Sequence, residues 1–213
     1  MRVSAEEKLA AILIADVADY DRLLARDRRR TEAALQLQYH EVIDAAIAIY
    51  GGRIFELDPA RTVAEFAEPL AAVRCAVEIQ ERLASRSAAV PPAERIRLRI
   101  GLHYGEALVD RGELSGEALT IAGRVHALAE PGEICVSRTV VDAVRRRVEH
   151  GFDDLADLAR PVPKAGLAFR LAVAPGTLQA RAPGWLGGVG RLALTALVVA
   201  AAIWLAMTGG RPS

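Results

Sequence analysis

Apolar positions along the chain fall into short blocks whose period changes from one block to the next. Leu9 to Ala15 is an unbroken apolar run closed by Asp16, which predicts a buried strand with a carboxylate at its C-terminal lip. Leu35, Tyr39, Val42, Ile43, Ala46, Ile47 and Tyr50 then recur at helical spacing, and Gly51-Gly52 supplies the helix stop. Arg53 to Leu57 and Thr62 to Ala67, joined through Asp58-Pro59-Ala60-Arg61, predict a hairpin. Pro69 opens a second helix with Ala72, Cys75, Ile79 and Leu83 on one stripe, and Ser85 to Pro92 is a loop. Ile96, Leu98 and Ile100 alternate with Arg95, Arg97 and Arg99, the pattern of a half-buried strand. After Gly105 a second strand covers Ala107 to Val109, so that the two make a hairpin or near neighbours. A helix over about 117–128, a Pro131-Gly132 turn and a strand over 133–137 complete the regular part. This order predicts an α+β sandwich with helices on one face of a largely antiparallel sheet.

The length of 213 residues suits one ordinary domain with a short appendage. Hydrophobic residues make up 52% and charged residues 25%, which excludes a disordered chain. Lys+Arg and Asp+Glu both total 27, so no basic surplus points to nucleic acid, and none is expected as a partner. Cys75 and Cys135 lie in apolar stretches and read as core residues in a reducing compartment. His40, His103, His126 and His150 are scattered without the spacing of zinc ligands. The glycines at 184, 187, 188 and 190 follow no strand and do not form a dinucleotide loop.

The two ends differ. The N-terminus carries Glu6, Glu7 and Lys8 before a short apolar run, which is not a signal peptide. From Leu192 to Thr208 no residue is charged, and a helix there would span roughly 25 Å at about 1.5 Å per residue. With Trp185 and Trp204 near its edges this predicts a transmembrane helix over 191–208, after a Gly/Ala/Pro-rich linker over 174–190 and before a tail over 209–213. Arg181 and Arg191 precede the span and Arg211 alone follows it. The expectation is therefore a single pass through the cytoplasmic (inner) membrane with the large domain in the cytoplasm.

Four separated segments, in order, carry a resemblance: Ala-Ala-Ile-Leu-Ile-Ala-Asp-Val-Ala-Asp-Tyr (10–20), Gly-Gly-Arg-Ile (51–54), Arg-Ile-Gly-Leu-His-Tyr-Gly (99–105) and Ala-Leu-Ala-Glu-Pro-Gly-Glu-Ile-Cys-Val-Ser (127–137). Residues 7–173 resemble the class III adenylate/guanylate cyclase catalytic domain. The resemblance implies a ferredoxin-like βαββαβ core and a homodimer or heterodimer with another cyclase domain, whose interface builds composite sites. It also implies attack of a ribose 3′ oxygen on the α-phosphate of ATP or GTP, with Mg²⁺ or Mn²⁺ clamping the attacking and departing oxygens.

Set against the family pattern, the site residues divide into inherited and substituted positions. Asp16 stands at the first metal carboxylate. The second lies in a Gly-Asp-Gly turn, and the flanking Gly51-Gly52 and Glu65-Phe66 put Pro59-Ala60-Arg61 there, with Ala60 in place of the aspartate. A methyl group cannot ligate a metal. Asp58 is a substitute ligand or, as Asp-Pro commonly is, the cap of a type I turn, and the turn is favoured. The family's adenine-binding lysine corresponds to Glu56, which accepts from guanine or is an exposed hairpin glutamate, the commoner state of acids on sheets. The second purine contact corresponds to Glu113. The Asn and Arg that reach ribose and triphosphate from one helix face correspond to Thr120 and Arg124. Lys164 is a displaced candidate for a phosphate-binding lysine.

The leading expectation is a membrane-anchored, catalytically degenerate cyclase domain, a pseudo-cyclase that regulates or dimerises. Two alternatives stand beside it. One is an active cyclase that makes cAMP or cGMP and pyrophosphate; the other is an interaction module that binds no nucleotide.

Overall fold

The computed structural model describes residues 6–110, 112–155 and 168–172. Strand β1 (Glu6–Val17) leads into helices α1 (Tyr20–Arg26) and α2 (Arg28–Gln38), a π-helical segment (Tyr39–Asp44) and α3 (Ala45–Ile49). The hairpin β2 (Arg53–Asp58) and β3 (Arg61–Phe66) precedes α4 (Pro69–Ser87) and β4 (Leu98–Asp110). Then come β5 (Glu113–Ser115), α5 (Glu117–His126), β6 (Ile134–Ser137), α6 (Arg138–Val144), β7 (Phe152–Asp154) and β8 (Ala168–Leu171). The eight strands form one sheet of order β2-β3-β1-β4-β6-β8-β7, with β5 paired to β4. Strands β1 to β4 and their helices thus run βαββαβ with β1 inside. All neighbours are antiparallel except β4 and β6.

Strand β1 explains the layering. Its run from Ala10 to Ala15 is buried throughout because the strand is covered on both faces. Ala11, Leu13 and Ala15 belong to the larger core, with Val42, Ile47, Cys75, Ile79 and Leu83 from the helices before β2 and from α4. Ala10, Ile12 and Ile14 meet Ala118 and Ala122 of α5. Helices therefore cover both faces, where the order of elements predicted one; a continuous apolar run is what such a strand requires. Cys75 and Cys135 are both buried.

The predicted pair of strands on either side of Gly105 is instead the single strand β4, and the two glycines within it serve packing. A Cβ on Gly101 would lie 2.5 Å from the backbone nitrogen of His126, so this position brings the end of α5 onto the sheet. A Cβ on Gly105 would lie 2.7 Å from Nε2 of the His103 ring. His103 is buried, and its Nδ1 is 2.9 Å from the Ser137 hydroxyl on β6.

Among the described residues no helix is long and apolar enough to cross a membrane. This overturns the expected single-pass placement in the inner membrane. Residues 191–208, on which that expectation rested, lie outside the described residues, as do the linker over 174–190, the tail over 209–213 and Lys164.

Candidate functional site

The C-terminal end of β1 gathers a row of charges because three strands run side by side there. Asp16 pairs with Arg61 on β3 and with Arg99 on β4, and Arg61 in turn pairs with Asp58 on β2. Laterally paired residues share a face, so Asp58, Arg61, Asp16 and Arg99 alternate in sign across the α5 side of the sheet. An open cleft of about 590 Å³ begins at this row, lined by Asp16, Asp19, Asp21, Arg22, Arg61 and Arg99 among others.

Asp16 is the most heavily engaged group in the cleft. Arg99 Nε donates to its Oδ1 at 2.8 Å and Arg99 Nη2 donates to its Oδ2 at 2.5 Å, a bidentate pair. His126 Nε2 at the end of α5 lies 3.2 Å from Oδ1. The bond to Asp16 holds the Arg99 guanidinium above its ordinary pKa against the opposing effect of burial. Burial pushes His126 below the ordinary histidine value, with Arg99 and Arg61 acting the same way and Asp16 opposing them. Asp19, next along the chain, holds φ 55°, the one non-glycine with positive φ among the described residues, and accepts from Arg22 Nη2 at 2.9 Å.

Ala60 sits at the tip of the β2-β3 hairpin. Its carbonyl accepts from Val17 N at 2.8 Å, which fastens the tip to the end of β1, and Ala60, a residue with no ligand atom in its side chain, is among the residues lining the cleft. Asp58 is used locally: its Oδ1 accepts from Ala60 N at 2.9 Å, an Asx turn of the sort Asp-Pro favours. It also stands two strands from Asp16 with Arg61 between, roughly 10 Å away at the usual strand spacing. Glu56 is exposed on β2, 3.9 Å from Arg61. Glu113 opens β5 and is exposed. Thr120 and Arg124 are both exposed on one face of α5, and the Thr120 hydroxyl donates back to the Gly116 carbonyl at 3.4 Å.

The structure thus brings Asp16, Asp58 and the Ala60 tip to one end of the sheet, with Glu56 further along the hairpin and Thr120 and Arg124 on the outer face of a helix. Sequence reasoning missed Arg61, Arg99 and His126 as groups of the site. Arg99 was visible only as one of three alternating arginines, since nothing local announces that it lies opposite Asp16.

Compared with known proteins, the described architecture has a near relative. The adenylate/guanylate cyclase/hydrolase from Silicibacter pomeroyi is 36% identical, with 79% of this chain and 99% of that one aligned at a TM-score of 0.72. The chain belongs to the class III adenylate/guanylate cyclase catalytic-domain family. "Putative adenylate cyclase 3" of Rhizobium meliloti is 32% identical over 164 residues, 75% of this chain; the cyclase domain spans 28% of that curated relative's length. The fold is shared with the adenylyl cyclase CyaB from P. aeruginosa at 15% identity and a TM-score of 0.66, over 83% of this chain and all of that one. No family model matches the chain.

The family implies Mg²⁺ or Mn²⁺ at this cleft, and the residues of this cyclase domain do not fit a pair of divalent ions. Both oxygens of Asp16 accept hydrogen bonds from a guanidinium, Ala60 in the same cleft lining carries no ligand atom in its side chain, and a second arginine, Arg61, is laterally paired with Asp16. Hard cations need several oxygen ligands. Among the described residues no group of three or more His, Cys, Asp and Glu side chains is placed to hold a metal.

Proposed function

We propose that this is a catalytically degenerate cyclase domain that serves cyclic-nucleotide signalling by pairing with a second cyclase domain, its own copy or another. The observation that carries this reading is Ala60: the hairpin tip is fastened against the end of β1, and the residue there, at the position that corresponds to the family's second metal carboxylate, has no ligand atom in its side chain. The remaining substitutions weaken the nucleotide half in the same direction. Glu56 cannot donate to adenine, and Thr120 lacks the reach and amide donors of asparagine. Arg124, exposed on α5, keeps the position of a phosphate-binding cation, and Glu113 that of a purine contact, so nucleotide binding outlasts turnover. Glu56 biases that binding toward guanine, whose ring hydrogens a carboxylate accepts.

Loss of one electrostatic contact to a transition state commonly costs on the order of a hundredfold in rate. Several losses in one site bring turnover to background. The test is cyclic-nucleotide formation by the full chain from ATP and from GTP, in Mg²⁺ and in Mn²⁺, beside Asp16→Ala. Equal background signals from both proteins support the proposal. Turnover that Asp16→Ala abolishes overturns it and makes the domain an active cyclase.

A further inference from the structure

The ligand-poor cleft raises the question of what balances Asp16. We propose that Arg99 is the resident cation of the Asp16 carboxylate and that this seat takes no divalent ion, an inference that deepens the degenerate reading above. Three observations converge on it. Each Asp16 oxygen accepts a hydrogen bond from Arg99, at 2.8 and 2.5 Å, so a metal must displace a bidentate charged pair before it gains any ligand. His126 Nε2 stands 3.2 Å from Oδ1, on a side chain packed between the helix end and the sheet, and narrows the approach further. The third is charge balance. Asp16, Asp19 and Asp21 are matched in the cleft by Arg22, Arg61 and Arg99, so the site is neutral with no ion bound and exerts no net pull on a cation.

The missing carboxylate at position 60 decides between the two occupants. One carboxylate with a fitted guanidinium favours the guanidinium, whereas two carboxylates lining one cleft, as positions 16 and 60 do, favour a divalent ion, because their mutual repulsion is relieved by a double charge. Ala60→Asp restores that second carboxylate at the half-buried hairpin tip that lines the same cleft.

The experiment follows free Mn²⁺ by electron paramagnetic resonance as it is titrated against the full chain, with thermal melting of every variant to establish folding. The wild-type chain is expected to leave Mn²⁺ free up to about 1 mM and to melt at the same temperature in Mn²⁺ and in EDTA. Ala60→Asp is expected to bind Mn²⁺ at least about tenfold more tightly, and Asp16→Asn in that background to abolish the gain. Wild-type binding that Asp16→Asn removes would overturn the proposal, as would an Ala60→Asp protein that melts normally and gains nothing. Mn²⁺ bound at Asp16 without cyclic-nucleotide formation would remove this inference and leave the degenerate reading standing. Turnover in EDTA would do the reverse.

Discussion

Taking away the Asp16 carboxylate would strip the Arg99 guanidinium of a bidentate acceptor at the edge of the core. Asp16→Ala is therefore expected to cost about 1–2 kcal/mol, the range for a charged hydrogen bond discounted for partial exposure, read as a lower urea midpoint. Gly101 admits no side chain, because the backbone of His126 occupies the space of a Cβ. Gly101→Ala should cost about 1–3 kcal/mol through overpacking and should shift α5 away from β4. Two histidines give the fold a pH dependence. Burial lowers the pKa of both His103 and His126, so near the ordinary histidine value the unfolded chain binds more protons than the folded one. Stability then rises with pH, and the part due to these rings is intact above about pH 6.5 and lost as pH falls toward their folded values. Urea midpoints measured from neutral to mildly acidic pH should decline over that window, and His126→Asn should flatten the decline.

Among the elements, α4 does more than cover the sheet. Gln80, buried on its inner face, donates from Nε2 to the carbonyls of Leu98 at 2.9 Å and Glu133 at 3.2 Å, tying the start of β4 to the approach to β6. Gln80→Leu should cost about 1 kcal/mol and speed amide exchange at Ile100, whose N–H bonds to the same Glu133 carbonyl. Elements of this kind were largely legible in the sequence. The apolar run from Leu9, the helical spacing through Ile47 and the Pro69 start each state a local preference that the fold keeps. The misreadings were of glycine and of layering. Gly105 looks like a strand end when only its neighbours along the chain are visible, yet its lack of a side chain accommodates the His103 ring. The second covered face of β1 was implied by an apolar run with no polar alternation, a pattern that names no covering partner. Of the site, the hairpin whose turn joins Asp58 to Arg61 was readable from the sequence. The pairing of Arg99 and Arg61 with Asp16 was not, because lateral register arises from strand order and not from spacing along one segment.

For the molecule as a whole, Thr120, Arg124 and Glu56 are exposed, so on the proposed pairing they are open to a second cyclase domain. If pairing is the function, sedimentation of the full chain should give a dimer or, on addition of an intact cyclase domain, a mixed species. A charge-reversing Arg124→Glu should shift that equilibrium or the binding of GTP without lowering the melting temperature, since Arg124 lies outside the core.

The central position of β1 bears on how the protein is made. This strand is translated before every other described element, yet its two neighbours in the sheet are β3 and β4, and β4 follows only after α1 to α4 and the hairpin. At roughly 5–20 residues per second, the interval between Val17 and Leu98 leaving the ribosome is on the order of ten seconds. Throughout it, the apolar run of β1 waits with at least one edge unpaired, both until β3 is made, and with both faces bare of part of their cover. A nascent chain stalled before Leu98 should thus be a strong client for chaperones, and one stalled beyond β6 a weak one.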